Sequence, residues 1–182
     1  MFTRVIAAIT VVLALSAPAW AAADQNNLQM FRDVQKQVLT YPQFSVFDTV
    51  HMQFDDQGAV TLTGEVTMPY KKDDIAKRIA KVKGVTRVVN NIDVLPVSMF
   101  DDDLRFRIAR AIYGNSNFWN YGAQANPPIH IIVKNGHVTL DGVVNSETDR
   151  MLARSIASSF GAFSVTNNLK TDSEAQQELE HL

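Results

Sequence analysis

Apolar and polar residues alternate at two separated places in the chain. Between 58 and 66, Val60, Leu62, Gly64 and Val66 share one parity and Thr61, Thr63 and Glu65 the other. A period of two predicts a strand with one buried face. The run V-T-L-x-G-x-V returns at 138–144. Around each strand the apolar spacing lengthens to that of a helix. Met30, Phe31, Val34 and Val38 predict a helix over 28–40, closed by Pro42. Ile75, Ala76, Ile79, Ala80 and Val82 predict another over 71–83, stopped by Gly84. Pro69 is read as punctuation before that helix. Strands are expected at 49–54, 59–67 and 86–94.

The second half repeats this order. Leu104, Ile108, Ala111 and Ile112 mark the inner face of a helix that begins among Asp101, Asp102 and Asp103, where carboxylates suit the helix dipole. Asn135-Gly136 signals a hairpin between strands at 129–133 and 137–144. Ser146 and Asp149 have the spacing of a capping box, Gly161 ends the helix, and a last strand runs over 164–170. Ala76, Ala80, Gly84, Val88, Asn90 and Ile92 correspond to Ala153, Ala157, Gly161, Val165, Asn167 and Leu169. The second copy carries about four extra residues around 120–126, where a loop tolerates them. The expected fold is α+β: two tandem αββαβ domains, each a three-stranded mixed sheet packed against two helices.

A glycine inside a strand packs nothing and costs entropy, yet Gly64 and Gly142 recur. Two causes fit. One is close approach of a helix, with Ala76/Ala80 and Ala153/Ala157 as the small partners. The other is a bulge. Small residues on both partners in both copies favour the helix contact.

Residues 1–23 carry Arg4, an apolar run over 5–15 and small residues at 19–23. This is the pattern of a cleaved secretory leader, and the run is too short to span a bilayer. Domain 1 is then expected over 24–97, a linker at 98–100, domain 2 over 101–172 and a frayed or disordered tail over 173–182. The chain has no cysteine, which excludes a lipid-modified cysteine, disulfides and thiolate metal sites. With 17 basic and 19 acidic residues, the charge is nearly balanced and suggests no nucleic-acid partner. The expected location is the periplasm.

The recurrent pattern V-x-L-x-G-x-V, then A-x-x-x-A-x-x-x-G, then V-x-N-x-I/L, resembles the BON domain, over about 28–97 and 101–171. In the second copy Ala162-Phe163 replaces the valine usual after the glycine, which puts the entry to the last strand in question. The resemblance implies a non-enzymatic envelope protein. It further implies association with phospholipid membranes, support of envelope integrity under stress, or chaperoning of exported polypeptides.

Two surfaces are candidates for binding. Lys71, Lys72, Lys77, Arg78, Lys81 and Lys83 decorate the second helix of copy one, opposed only by Asp73 and Asp74, expected in its first turn. Lys77, Arg78 and Lys81 are the candidate contacts to anionic lipid. An ordinary solvated helix face is the plain alternative. In copy two, Phe106, Arg110 and Tyr113 fall opposite the inner helix face, and Phe118, Trp119 and Tyr121 follow in the next loop. These six suit a lipid interface, a protein client, or contact between the two copies. Gly64, Gly84, Gly142 and Gly161 are structural positions. Catalysis has little support. His51, His130, His137 and His181 are the only imidazoles, and no nucleophile, phosphate-loop or metal-ligand spacing occurs. No cofactor or metal is expected.

Overall fold

Helix α1 (Ala19–Leu39) comes first in the computed structural model, which describes residues 19–55 and 57–179, with side chains for 28–55 and 57–177. Of the expected leader, residues 1–18 lie outside the described residues, and 19–23 form the start of α1. The helix thus begins well before residue 28. Strands β1 (Thr49–Phe54) and β2 (Ala59–Val66) form an antiparallel hairpin. Helix α2 (Pro69–Ile79) crosses back, and β3 (Arg87–Val94) pairs parallel to β2. Pro69 lies inside α2, in the first turn, where its missing N–H costs nothing. Asp73 and Asp74 consequently fall in the second turn.

The second half repeats the order with α3 (Met99–Tyr113), β4 (Ile129–Lys134), β5 (His137–Val144), α5 (Glu147–Ser158) and β6 (Ser164–Thr171). Its α-to-β connection adds a 3₁₀ turn (Ser116–Phe118) and a single-turn helix, α4 (Trp119–Gly122). The strand orders are β1-β2-β3 and β4-β5-β6. Residues 172–179 form α6 (Asp172–Leu179), so the expected frayed tail is a helix over that stretch. Its Glu174 carboxylate accepts from the Thr171 backbone and pairs with Arg150 at 3.0 Å. Among the described residues, no helix is long and apolar enough to cross a membrane.

Each half has its own apolar core. Val34, Val60, Leu62, Ile75, Ile79 and Ile92 are fully buried in the first; Leu104, Ile108, Ile112, Phe118, Leu140 and Ala157 fill the second. Complete burial of one such aliphatic side chain contributes about 1.5–3 kcal/mol. The repeated asparagine has a structural reason. Asn90 donates its amide to the Lys72 carbonyl and accepts from Ile92 N; Asn167 does the same with the Arg150 carbonyl and Leu169 N. Each clips the parallel strand to the crossing helix. Substitution of the usual valine leaves the entry to β6 intact: Phe163 N donates to Gly136 O at 2.9 Å, as Thr86 N does to Gly58 O.

The strand glycines are not explained by a helix. Gly64 has φ 121° and Gly142 φ 118°. A Cβ at Gly64 would strike the Thr49 carbonyl, and at Gly142 the Pro128 carbonyl, both on the neighbouring antiparallel chain. The close approach is within the sheet, and register through Gly64 continues without an inserted residue. Glycine is required by the backbone conformation together with that contact.

Candidate functional site

The seam between the two halves is built mainly by the segment joining α1 to β1. Ile131 N donates to Val46 O at 2.7 Å, so Val46 occupies the outer edge of β4. Phe47 packs edge-on against Phe106, with ring centroids 4.9 Å apart, and reaches the core of the second half. Phe44 lies against the His130 ring at 5.4 Å. Beside these apolar contacts, Asp141 on β5 accepts from the Thr49 hydroxyl and meets His51 Nε2 at 2.9 Å. Lys134 sits within 3.9 Å of Glu65 and 3.7 Å of Asp93.

The seam perturbs its ionisable groups. Burial alone would raise the Asp141 pKa, but hydrogen bonds from His51 and Thr49 outweigh it and hold the carboxyl below its usual range. His51 is raised by its bond to Asp141, against partial burial and the nearby charge of Lys170. His130 is lowered chiefly by burial, and among the described residues its buried Nδ1 lacks a well-formed hydrogen bond. Next to the seam, the buried Asp48 carboxylate takes Lys71 Nζ at 2.7 Å, the Thr67 backbone and hydroxyl, and Ser45 N and Oγ. Burial opposes the charge of Asp48, yet these donors keep its pKa depressed. Tyr41 and Tyr121 are pushed up to about 12, in both cases chiefly by burial.

A cleft of about 600 Å³ opens along this seam, between α1 and β1 on one side and the 124–128 loop, β5 and β6 on the other. Phe31, Leu39, Val50 and Met52 form an apolar wall, and His51, His130, Asp141 and Lys170 are its ionisable lining.

The aromatic surface expected in copy two does not form as one patch. Phe118 is fully buried and Tyr121 is 3 % exposed. Tyr121 donates to Asp149 at 2.8 Å and accepts from Asn145 N. Tyr113 packs against the core and donates to the Ile129 carbonyl. Helix–sheet filling consumed these rings. Of the extra stretch of copy two, Tyr121 turns inward to the core, while Asn120 and residues 122–126 stay exposed. Phe106, Arg110 and Trp119 remain exposed, Phe106 partly covered by Phe47.

The basic helix is also divided. Lys71 is buried in the Asp48 pair. Arg78 donates to Gln37 O and Thr40 Oγ1 and lies over the Tyr41 ring, tying α2 to α1. Lys77, Lys81 and Lys83 face solvent. Ser146 accepts from Asp149 N, as a cap should, but the Asp149 carboxylate turns to Tyr121. Asp101 also does more than favour a helix N-terminus: it is buried and accepts from Asn135 N and Gly136 N, fastening the β4–β5 turn to α3.

Sequence pattern missed a second exposed apolar group. Val97 is fully exposed, Met99 90 %, Phe163 75 % and Phe100 50 %. Phe100 and Phe163 stack at 6.4 Å although 63 positions separate them in the chain. Among the described residues, no cluster of histidine and carboxylate groups could hold a metal.

Two separately cored copies of one small αββαβ unit, joined by a short linker, define a tandem-module protein. A family model described as the BON domain matches residues 32–96 and again 101–173, so the chain belongs to the BON-domain family and carries two such domains. The family is generally non-catalytic and supports, coarsely, an envelope-associated role. No curated protein matches. Two solved structures of CdsD, a structural protein of the type III secretion system of Chlamydia trachomatis, show distant similarity. One is 14 % identical, covers 84 % of this chain and 97 % of that one, and has a TM-score of 0.30; the other, a C-terminal domain, is 13 % identical over 77 % and 96 %, with a TM-score of 0.29. At such scores they carry no argument.

Proposed function

We propose that this is a non-enzymatic protein of the periplasm, exported by its leader, that supports envelope integrity or the stress response by resting on anionic phospholipid. The observation that carries this reading is the exposed group of Val97, Met99, Phe100 and Phe163. Large apolar side chains held in water, here two stacked rings with Val97 and Met99 next to Phe100 in the chain, are a cost that a partner surface removes. Lys77, Lys81 and Lys83 on domain 1 are exposed and make no ion pair among the described residues. Each cation close to an anionic bilayer adds about 1 kcal/mol. This surface replaces most of the aromatic patch expected on domain 2; Phe106, Arg110 and Trp119 are its remaining exposed members.

Flotation of the full chain with vesicles tests the reading. Vesicles rich in phosphatidylglycerol should retain more protein than pure phosphatidylcholine, and Phe163→Ser should lower the retained fraction. Equal retention on both vesicles, or no change with Phe163→Ser, overturns it. The same apolar group would also accept an apolar stretch of an exported polypeptide, which favours a chaperone or adaptor as the second reading. Suppression of client aggregation without lipid, lost in Phe163→Ser, would select it.

A further inference from the structure

The two sheets treat their outer edges differently. In an antiparallel pair, alternate residues turn their N–H and C=O away from the partner strand. Asp55 N donates to Ala59 O, and Val143 N to Pro128 O. The outward residues are therefore Val50, Met52 and Phe54 on β1, and Ile129, Ile131 and Val133 on β4. Domain 2 provides for its edge. The Tyr113 hydroxyl accepts from Ile129 N at 3.2 Å and donates to the Ile129 carbonyl. Ile131 N donates to Val46 O, and Arg105 Nη2 donates to the Val133 carbonyl at 3.0 Å.

Domain 1 has none of these partners. With Val34 and Val38 matching Ile108 and Ile112, Leu39 stands where Tyr113 stands, and Phe31 where Arg105 stands. Both replacements are apolar and can neither donate nor accept. Among the described residues, no other side chain or segment bonds to the outward N–H and C=O groups of Val50, Met52 or Phe54. Phe31, Leu39, Val50 and Met52 all line the seam cleft, whose volume of about 600 Å³ is that of a ligand site. Phe44 lines it too, so the unpaired edge of domain 1 adjoins the segment that covers the edge of domain 2. Unpaired main-chain groups beside apolar walls complement one kind of molecule: an extended polypeptide that adds a strand. The chain already uses this mode on domain 2, where Val46 supplies the backbone acceptor and Phe47 sends its ring to Phe106 and the core.

We infer that the seam cleft binds an extended segment of another polypeptide, apolar at alternate positions, as an added strand on the outer edge of β1. Its main chain bonds to Val50 and Met52, and its inward side chains pack on Phe31 and Leu39. The site is separate from the Phe100–Phe163 group. Phe163 lies by the β4–β5 turn, whereas the cleft reaches Pro128 and Gly142 at the other end of that hairpin.

The test uses the full chain and a fluorescein-labelled peptide, Lys-Val-Thr-Val-Thr-Val-Lys, without vesicles. Saturable fluorescence anisotropy with one peptide per chain is expected. The same peptide N-methylated at its three central residues keeps its side chains but loses its main-chain donors. It should bind about tenfold more weakly, the equivalent of two backbone hydrogen bonds. Leu39→Tyr and Phe31→Arg give domain 1 the edge partners of domain 2, and each should weaken the parent peptide about tenfold. Phe163→Ser should leave it unchanged. Exchange of the Met52 amide hydrogen should slow about tenfold when peptide is bound. Circular dichroism establishes that each variant is folded; if Phe31→Arg is not, Leu39→Tyr and the N-methylated peptide decide. Non-saturable binding, equal binding of the N-methylated peptide, or unchanged binding in the folded edge variants overturns the proposal. Sedimentation that shows a dimer dispersed by the peptide also overturns it, in favour of a second copy on the edge. Failure of vesicle flotation with retained peptide binding would remove the membrane reading and leave this one standing.

Discussion

The two domains differ most where α1 runs into β1 and α3 into β4. Each connection carries the same device. Tyr41 donates to Asp74 on α2, and Tyr121 donates to Asp149 on α5. They then part. Domain 2 has the longer connection and turns two of its rings inward, burying Phe118 completely beside Tyr121. Domain 1 has the shorter one and reaches a comparable position with a buried ion pair, Asp48–Lys71, completed by Ser45 and Thr67. Its neighbours Val46 and Phe47 point away, to the edge and core of domain 2. One repeat therefore closes on itself, while the other closes on a polar pair and lends its apolar side chains to the seam. Two copies of one fold have been made unequal by a few loop residues, and the docking surface lies in the shorter loop.

Breaking the polar closure should have the largest effect. Lys71→Met leaves the Asp48 carboxylate buried without its cation, and urea denaturation of the full chain should show a loss of about 3–5 kcal/mol. A loss under 1 kcal/mol would mean that Ser45 and Thr67 suffice. On the domain 2 side, Gly142→Ala imposes a left-handed φ on a side chain and drives its Cβ into the Pro128 carbonyl. Thermal unfolding should report about 3 kcal/mol. Gly161→Ala is the control: its φ is 77° but nothing lies within 4 Å, so about 1 kcal/mol is expected. Next in size, Tyr121→Phe removes the hydroxyl shared by Asp149 and Asn145 N and should cost about 1–2 kcal/mol, while Tyr41→Phe loses only Asp74 and should cost about 1. Equal losses for the two tyrosines would erase that asymmetry.

The smallest effect sharpens the seam. His51 has a raised pKa, so its contribution is complete below 6.5 and is lost as pH rises through the folded value. His130 has a lowered pKa; its unfolded form takes up a proton near 6.5, so stability falls as pH drops below that value toward the folded one. Asp48 and Asp141 are depressed below 3.8 and lose their contribution only in that acid region. Stability between pH 5 and 8 should therefore peak near 6.5. His51→Gln should abolish the alkaline decline and leave the acid one. Denaturation midpoints across this window that are flat in the parent chain would contradict the assignment.

The two-fold αββαβ order was legible because periodicity needs no tertiary information. Alternation at Val60/Leu62 and Val138/Leu140, helical spacing at Val34/Val38 and Ile108/Ile112, and Asn135-Gly136 each name an element locally. The site was much less legible. An aromatic near the end of a helix reads the same whether it fills a core, as Phe118 and Tyr121 do, or stays outside, as Trp119 does. A lysine on an otherwise solvated helix reads the same whether exposed, as Lys77, or buried against Asp48, as Lys71. The one available hint was the lone Asp48 before β1, since a carboxylate at the foot of a buried strand needs donors. Phe100 and Phe163 gave no hint, because stacking across 63 positions leaves no periodic trace.

Local spacing alone determined what each segment is, how often the unit occurs, and that no thiol, phosphate loop or metal motif is present. Only the folded chain decided which charges are paired, which rings are covered, why Gly64 and Gly142 must be glycine, and that His51 and Asp141 meet across two domains. The division follows range. Secondary structure is set by neighbours a few residues away, whereas burial, pairing and clefts are set by residues that approach only after both sheets have formed and docked.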